Sequence, residues 1–143
     1  MVKKFLVAID QGTTSTRAIL FDTKGNTKFI SQFEFKQYFP KNGWVEHDPK
    51  EIWITTFKSL NKVIQKAKRL KGKILSIGIA NQRETTVLWN KKNGRPIYNA
   101  IVWQDRRTQQ FCQNLKKKNY ENIIRKKTGL FIDPYFSATK IRW

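Results

Sequence analysis

Acidic residues are scarce in this chain, 10 against 29 basic ones, which leaves a formal charge of +19 over 143 residues. Cysteine and histidine each occur once, as Cys112 and His47. A lone cysteine excludes a disulfide framework and a cysteine metal cluster, and a single histidine argues against a zinc site. No apolar run approaches the roughly 20 residues of a membrane span. Phe5 to Ile9 is too short for the core of a signal peptide. The expectation is a cytoplasmic protein with no membrane partner. Against these absences stand 39% hydrophobic and 13% aromatic residues, which exclude wholesale disorder. The length suits one domain able to bury a core.

The basic excess raises nucleic acid as a partner, since lysine and arginine gain affinity by displacing counterions from phosphates. The distribution argues against it. Of the 29 basic residues 21 are lysine, spread along the whole chain, whereas readers of base sequence favour arginine. The densest runs, Lys66 to Lys73 and Lys116 to Lys118, fall at predicted helix ends, where cations suit the macrodipole.

Phe5-Leu6-Val7-Ala8-Ile9 is apolar at every position, as in a strand covered on both faces, and Ala18 to Phe21 reads alike. After a turn at Asp22 to Asn26, the stretch Phe29 to Lys36 alternates, with Phe29, Phe33 and Phe35 on one face. Three strands with short connections predict an antiparallel meander. Pro40 to His47 reads as loop. Asp48 as N-cap, Pro49 at the first position and Glu51 closing a capping box then open a helix. Its predicted apolar stripe is Trp53, Phe57, Leu60, Ile64 and Ala67, and Gly72 ends it. Ile74 to Ala80 is a second fully apolar strand; Thr85 to Trp89 and Ile97 to Trp103 read as extended. Asp105 is positioned to cap a helix carrying Phe111, Cys112 and Leu115, and Tyr120 to Lys127 forms another. Ser137 is the expected N-cap of a last helix that begins as the sequence ends, so the chain reads as cut short.

Three stretches carry the residue types of a binding site. In Asp10-Gln11-Gly12-Thr13-Thr14-Ser15-Thr16-Arg17, a carboxylate precedes a glycine, a hydroxyl run and an arginine. That set can cradle phosphate, with Asp10 holding Mg²⁺ directly or through water. The Walker pattern is absent, and a polar hairpin turn accounts for the same composition, so the residues alone leave both readings open. In Gln82-Arg83-Glu84, arginine supplies only donors and glutamate only acceptors, the complement of a polyol's hydroxyls. A local ion pair between them is the blander account. Trp103 can lie along the CH groups of a small alcohol or serve in a core. Tyr135 can reach a ligand or shield the interior. His47 sits among residues that build a helix start, which favours a structural role.

The segments "DQGTTSTR", "GWVEHDP", "GIANQRETT", "NAIVWQDRRT" and "TGLFIDPYFSATK" occur in this order, and the chain from Phe5 to Trp143 resembles the glycerol-phosphorylating branch of the FGGY carbohydrate kinases. The resemblance implies an α/β fold of the ribonuclease H-like, actin-type ATPase class. In it an antiparallel meander is followed by alternating helices and strands, here as a truncated N-terminal domain over 1–143. It implies ATP and Mg²⁺ as cofactors, Asp10 near the metal, and Thr13, Thr14, Ser15 and Arg17 on the phosphates. It likewise implies Arg83, Glu84 and Tyr135 on glycerol's hydroxyls, with Trp103 on its carbon chain. Xylulose-phosphorylating relatives usually carry Met-His where this chain has Arg83-Glu84. The family's catalytic base is an aspartate in a downstream Gly-Asp-Gln motif, which this sequence does not contain, nor does it contain the adenosine-binding half. The alternatives are half of a split enzyme completed by a separately encoded C-terminal portion, a non-catalytic remnant, or a basic nucleic-acid-binding module.

Overall fold

The computed structural model describes residues 2–143. The chain forms two compact units: the stretch through Lys36 joins Asp48–Gln82, and Gln37–His47 joins Arg83–Trp143. The sequence shows no linker at these crossings because the chain passes from one unit to the other within single connections.

The first unit is built on β1 (Lys3–Gln11), β2 (Ser15–Asp22), β3 (Thr27–Glu34), α1 (Pro49–Arg69) and β5 (Gly72–Ala80). Its sheet has the order β3-β2-β1-β5. The first three strands form the expected antiparallel meander. The crossover through α1 then returns β5 parallel to β1. One face of the sheet packs Phe5, Val7, Ile9, Ala18 and Leu20 against Val63 and Ala67 of α1. The expectation that β1 and β5 are covered on both faces does not hold. Leu6 is exposed, and so are Leu75, Ile77 and Ile79 on β5, the last at 73%. A continuous apolar run marks a strand suited to burial, but in this unit a single helix covers a single side, and β5 lies at the sheet edge.

Helix α1 starts as expected: the Asp48 carboxylate accepts from the Lys50 N–H at 2.8 Å and Pro49 is the first helical residue. Glu51 does not close a capping box; its Oε2 accepts from the Lys36 N–H at 2.9 Å. The buried stripe also differs from expectation. It runs Thr55, Ser59, Val63, Ala67 at steps of four, while Trp53 is 68% exposed and stacks on the equally outward Phe57. The hydroxyls are buried because they are satisfied: the Oγ1 atoms of Thr55 and Thr16 lie 2.9 Å apart, and the Ser59 hydroxyl donates to the Thr16 carbonyl at 3.3 Å. Small residues on that face bring helix and sheet close together. At the C-terminus the left-handed residue is Lys71 (φ 54°), not Gly72. Gly72 is required for space, since a Cβ there would run into the Phe5 ring.

The second unit has little regular sheet. β4 (Glu46–His47) pairs antiparallel with β6 (Ala100–Ile101). The strand expected over 85–89 reduces to isolated bridges, Thr86 to Ile101 and Trp89 to Pro96, and that over 97–103 to β6. Three helices follow: α2 (Gln109–Lys117), α3 (Glu121–Thr128) and α4 (Ser137–Arg142). Asp105 does not cap α2, whose N-cap is Thr108. Its carboxylate instead accepts from the Val45 N–H at 2.6 Å and from the Arg107 Nε and Nη2 at 2.9 Å each. Arg107 Nη2 also reaches Glu46 Oε1 at 2.7 Å, with its side chain fully buried. The guanidinium lies 3.9 Å over the Trp44 ring and 4.6 Å over that of Trp143. His47 is buried with Nε2 2.8 Å from Gln37 Oε1, a structural placement.

Two outcomes follow from this packing. Burial alone would raise the Glu46 pKa, but hydrogen bonds from Asn99, Arg107 and Tyr98 outweigh it and hold the carboxyl below its usual 4.5. A carboxylate with a depressed folded pKa lends stability that is complete above 4.5 and is lost as pH falls through the folded value. Urea denaturation as a function of pH should therefore show acid destabilisation that is shallower in Glu46→Gln, whose stability at neutral pH is lower by about 3 kcal/mol or more. On β5, no lysine, proline or other charge interrupts residues 74–80. Such a bare edge promotes strand-to-strand association. Ile79→Lys should lower light scattering of the concentrated chain without lowering its melting temperature.

Candidate functional site

The hydroxyl-rich stretch is built at the turn between β1 and β2. Only Gly12, Thr13 and Thr14 lie outside the strands, so Ser15, Thr16 and Arg17 belong to β2. The turn closes through the Gly12 N–H donating to the Ser15 carbonyl at 3.0 Å, and a Cβ on Gly12 would sit 3.0 Å from that same oxygen. Strand alternation sorts the hydroxyls. Thr16 points to α1, where its Oγ1 donates to Gln11 Oε1 at 2.8 Å, and Thr56 donates to the same Gln11 oxygen at 3.0 Å. Ser15 and Arg17 take the opposite face, together with Asp10, which pairs with Arg17 in register. Ser15 Oγ accepts from Gln32 Nε2 at 2.9 Å, Thr14 is exposed at the tip, and Thr13 is half-buried. No ion pair joins Asp10 and Arg17 among the described residues, and Arg17 Nε is a buried donor without an acceptor. A buried guanidinium N–H without an acceptor is a donor that an oxyanion at this turn can take up. Asp10 fits a cation only in company with such an anion, because no cluster of three His, Cys, Asp or Glu residues occurs among the described residues.

The second set lies wholly in the other unit. Glu84 adopts a left-handed backbone (φ 58°), a conformation that costs a non-glycine residue about 1–2 kcal/mol. It does not pair with Arg83; its Oε2 accepts both the N–H and the hydroxyl of Ser137, each at 2.9 Å. Ser137 is therefore not the N-cap of α4, a position held by Phe136. Oε1 takes neither bond. Arg83 is exposed and its guanidinium has no protein acceptor among the described residues. Trp103 and Tyr135 meet edge to face with ring centroids 5.9 Å apart, and the Trp103 N–H donates to Thr85 Oγ1 at 3.3 Å. Tyr135 N–H is held by the Asp133 carboxylate at 2.8 Å, and the phenol oxygen makes no hydrogen bond among the described residues. Glu84, Trp103 and Tyr135 are thus gathered around one short stretch of chain, 83–85, with Arg83 at its start.

Two supporting roles, those of Gln82 and Lys140, escaped the sequence reading. Gln82 Nε2 donates to the Gly12 carbonyl at 2.8 Å, fixing the β1–β2 turn from the end of β5. Lys140, 2% exposed, donates to the carbonyls of Glu84 at 2.8 Å and Tyr135 at 2.6 Å. Burial pushes its ammonium down to about 8, although Glu84, Asp105 and Asp133 pull the other way. The only sequence signal for Lys140 is its place in "SATK", where a lysine in a predicted first helical turn opposes the macrodipole.

Comparison with known proteins places the whole chain in a family. The description "FGGY family of carbohydrate kinases, N-terminal domain" matches residues 5–143. A glycerol kinase of Sinorhizobium fredii is 58% identical over 139 residues, covering 97% of this chain and 28% of the relative. One from Staphylococcus haemolyticus is 54% identical over 142 residues, covering 99% and 28%. Among solved structures, Plasmodium falciparum glycerol kinase with ADP superposes with a TM-score of 0.93 at 38% identity, over 99% of this chain and 28% of that one. The chain therefore spans 28% of the length of the curated relatives it matches. With an actin-like α/β architecture and a family match across nearly all its residues, this chain belongs to the FGGY family of carbohydrate kinases.

Proposed function

We propose that the chain is the opening portion of a kinase that transfers the γ-phosphoryl group of ATP to a terminal hydroxyl of glycerol, giving sn-glycerol 3-phosphate. The observation that carries the glycerol reading is the unspent bonding capacity around residues 83–85. The Arg83 guanidinium, Glu84 Oε1 and the Tyr135 hydroxyl lack protein partners among the described residues, while the Trp103 ring stands edge to face with Tyr135. A triol needs donors and acceptors together with an apolar surface for its carbons, and this set offers each. Relatives at 54% and 58% identity, themselves glycerol kinases, support the same substrate over a five-carbon sugar.

On the phosphate side, Thr13, Thr14, Ser15 and Arg17 are the candidate contacts, supported by the unsatisfied Arg17 Nε. Asp10 would hold Mg²⁺ delivered with the nucleotide, since Mg²⁺ bound to phosphates commonly keeps only one or two protein carboxylates. The metal supplies neutralisation of phosphate charge. Arg17 would add a guanidinium donor to the phosphate oxygens. The 143 residues contain no Gly-Asp-Gln segment to offer a general base, a contribution of about 10²–10⁴-fold. Turnover on this reading requires a C-terminal portion carrying that segment.

Purified chain with Mg²⁺, ATP and glycerol should form no glycerol 3-phosphate above background in a coupled dehydrogenase assay, yet bind glycerol in an NMR titration. Glu84→Gln should weaken that binding about 10-fold or more, as expected for a hydrogen bond to a charged acceptor. Turnover at the rate of an intact kinase would overturn the inert-portion reading. Absence of glycerol binding would overturn the substrate.

A further inference from the structure

The pair Ser137 and Lys140 has no role in the chemistry described so far, yet both side chains converge on Glu84. Lys140 spans two segments that are 51 residues apart in sequence, donating at once to the Glu84 and Tyr135 carbonyls. An ammonium desolvated to 2% exposure is costly, and a lysine serving only as packing would turn its charge to water. Here the charge is spent on two neutral oxygens, one of them belonging to a residue in a strained left-handed conformation. We propose that Lys140 is a positioning residue for substrate recognition: its ammonium fixes the span between Glu84 and Tyr135, so that the carboxylate and the phenol meet the same polyol. The proposal rests on the glycerol reading. The geometry behind it is a bridge from one side chain to the main chain of both recognition residues. Ser137 complements the bridge by holding Glu84 Oε2 from the first residue of α4, leaving Oε1 for ligand. Burial lowers the Lys140 pKa to about 8, consistent with an ammonium kept by these carbonyls and by Glu84, Asp105 and Asp133 and not by solvent.

The test is glycerol titration of the ¹⁵N-labelled 143-residue chain, with affinity read from the peaks of the folded species so that lost stability does not enter. Lys140→Met keeps the side chain's bulk and removes its donors. It should raise the glycerol dissociation constant at least tenfold and shift the amide signals near both Glu84 and Tyr135. Lys140→Arg keeps donors, and the hollow lined by Thr86, Ile101 and Ile141 beside Lys140 gives a guanidinium room. It should restore affinity to within about threefold of the unsubstituted chain, and it carries the test if Lys140→Met does not fold. A folded Lys140→Met that binds glycerol as the unsubstituted chain does, whatever its melting temperature, overturns the proposal alone. So does a folded Lys140→Arg that has lost binding. Absence of binding by the unsubstituted chain overturns the glycerol reading and the proposal with it.

Discussion

The guanidinium of Arg107 is withdrawn from water and lies between two carboxylates, Glu46 and Asp105, with the rings of Trp44 and Trp143 against it. Desolvating each of these ions costs several kcal/mol, and only a planar fork of donors with well-placed acceptors recovers it. Arg107 has that fork: Nε and Nη2 engage Asp105, and Nη2 is shared with Glu46. Glu46 is saturated from its other side by Tyr98 and Asn99. A lysine could offer neither the fork nor the flat face that stacks on tryptophan. The consequence is one of placement. Residues 44–47, 98–99 and 105–107 are tied to one point, and the Val102 N–H donates to the Val45 carbonyl at 3.0 Å between them. Trp103 follows directly. A unit with only two short strands thereby acquires the fixed frame that a larger sheet would otherwise supply.

In the other unit the equivalent constraint is a run of hydroxyls buried under a helix. Thr16, Thr55, Thr56 and Ser59 with Gln11 form a network in which each oxygen is satisfied by a neighbour, so polar residues occupy core positions without the penalty of an orphaned group. Because Thr16 is held inward, strand geometry sends Ser15 and Arg17 outward, onto the face that carries Asp10. The hydroxyl run thus does two jobs, alternate members anchoring the turn and facing outward. Composition alone shows the run and not the division of labour, which depends on where the turn ends.

The meander, the start of α1 at Asp48-Pro49 and the apolar strand after it were legible because each has a local cause: a period of two, a cap, a continuous apolar run. What could not be read depended on partners distant in sequence. The buried stripe of α1 is Thr55-Ser59-Val63-Ala67 because Thr16 supplies acceptors and donors 39 residues away. Trp53 and Phe57, the stronger hydrophobes, stay outside. Glu51, Asp105 and Ser137 all have cap-forming chemistry, and all three spend it on longer-range partners: the Lys36 amide, the Val45 amide and Glu84. Residue type announced a hydrogen bond at each place; only the fold chose the partner. The candidate binding residues could be proposed from their motifs, whereas the contacts of Gln82 to Gly12 and of Lys140 to Glu84 and Tyr135 had no pattern to announce them.

These two supports share one construction. Each sends a side-chain N–H into a main-chain carbonyl of a turn that carries ligand-facing groups, Gln82 into Gly12 and Lys140 into Glu84 and Tyr135. A carbonyl left unpaired in such a turn would compete for any donor nearby, including the hydroxyl of a small alcohol. Engaging it internally removes that competitor and stiffens the turn in the same act. A left-handed Glu84 is sustained on the same principle: the cost of its backbone, about 1–2 kcal/mol, is comparable to what one hydrogen bond from a charged donor returns, about 1.5–3 kcal/mol. The ammonium offsets that strain together with the two Ser137 contacts to the Glu84 carboxylate. On the reading proposed above, recognition by Glu84 and Tyr135 would depend on Lys140, a residue that need never touch the substrate.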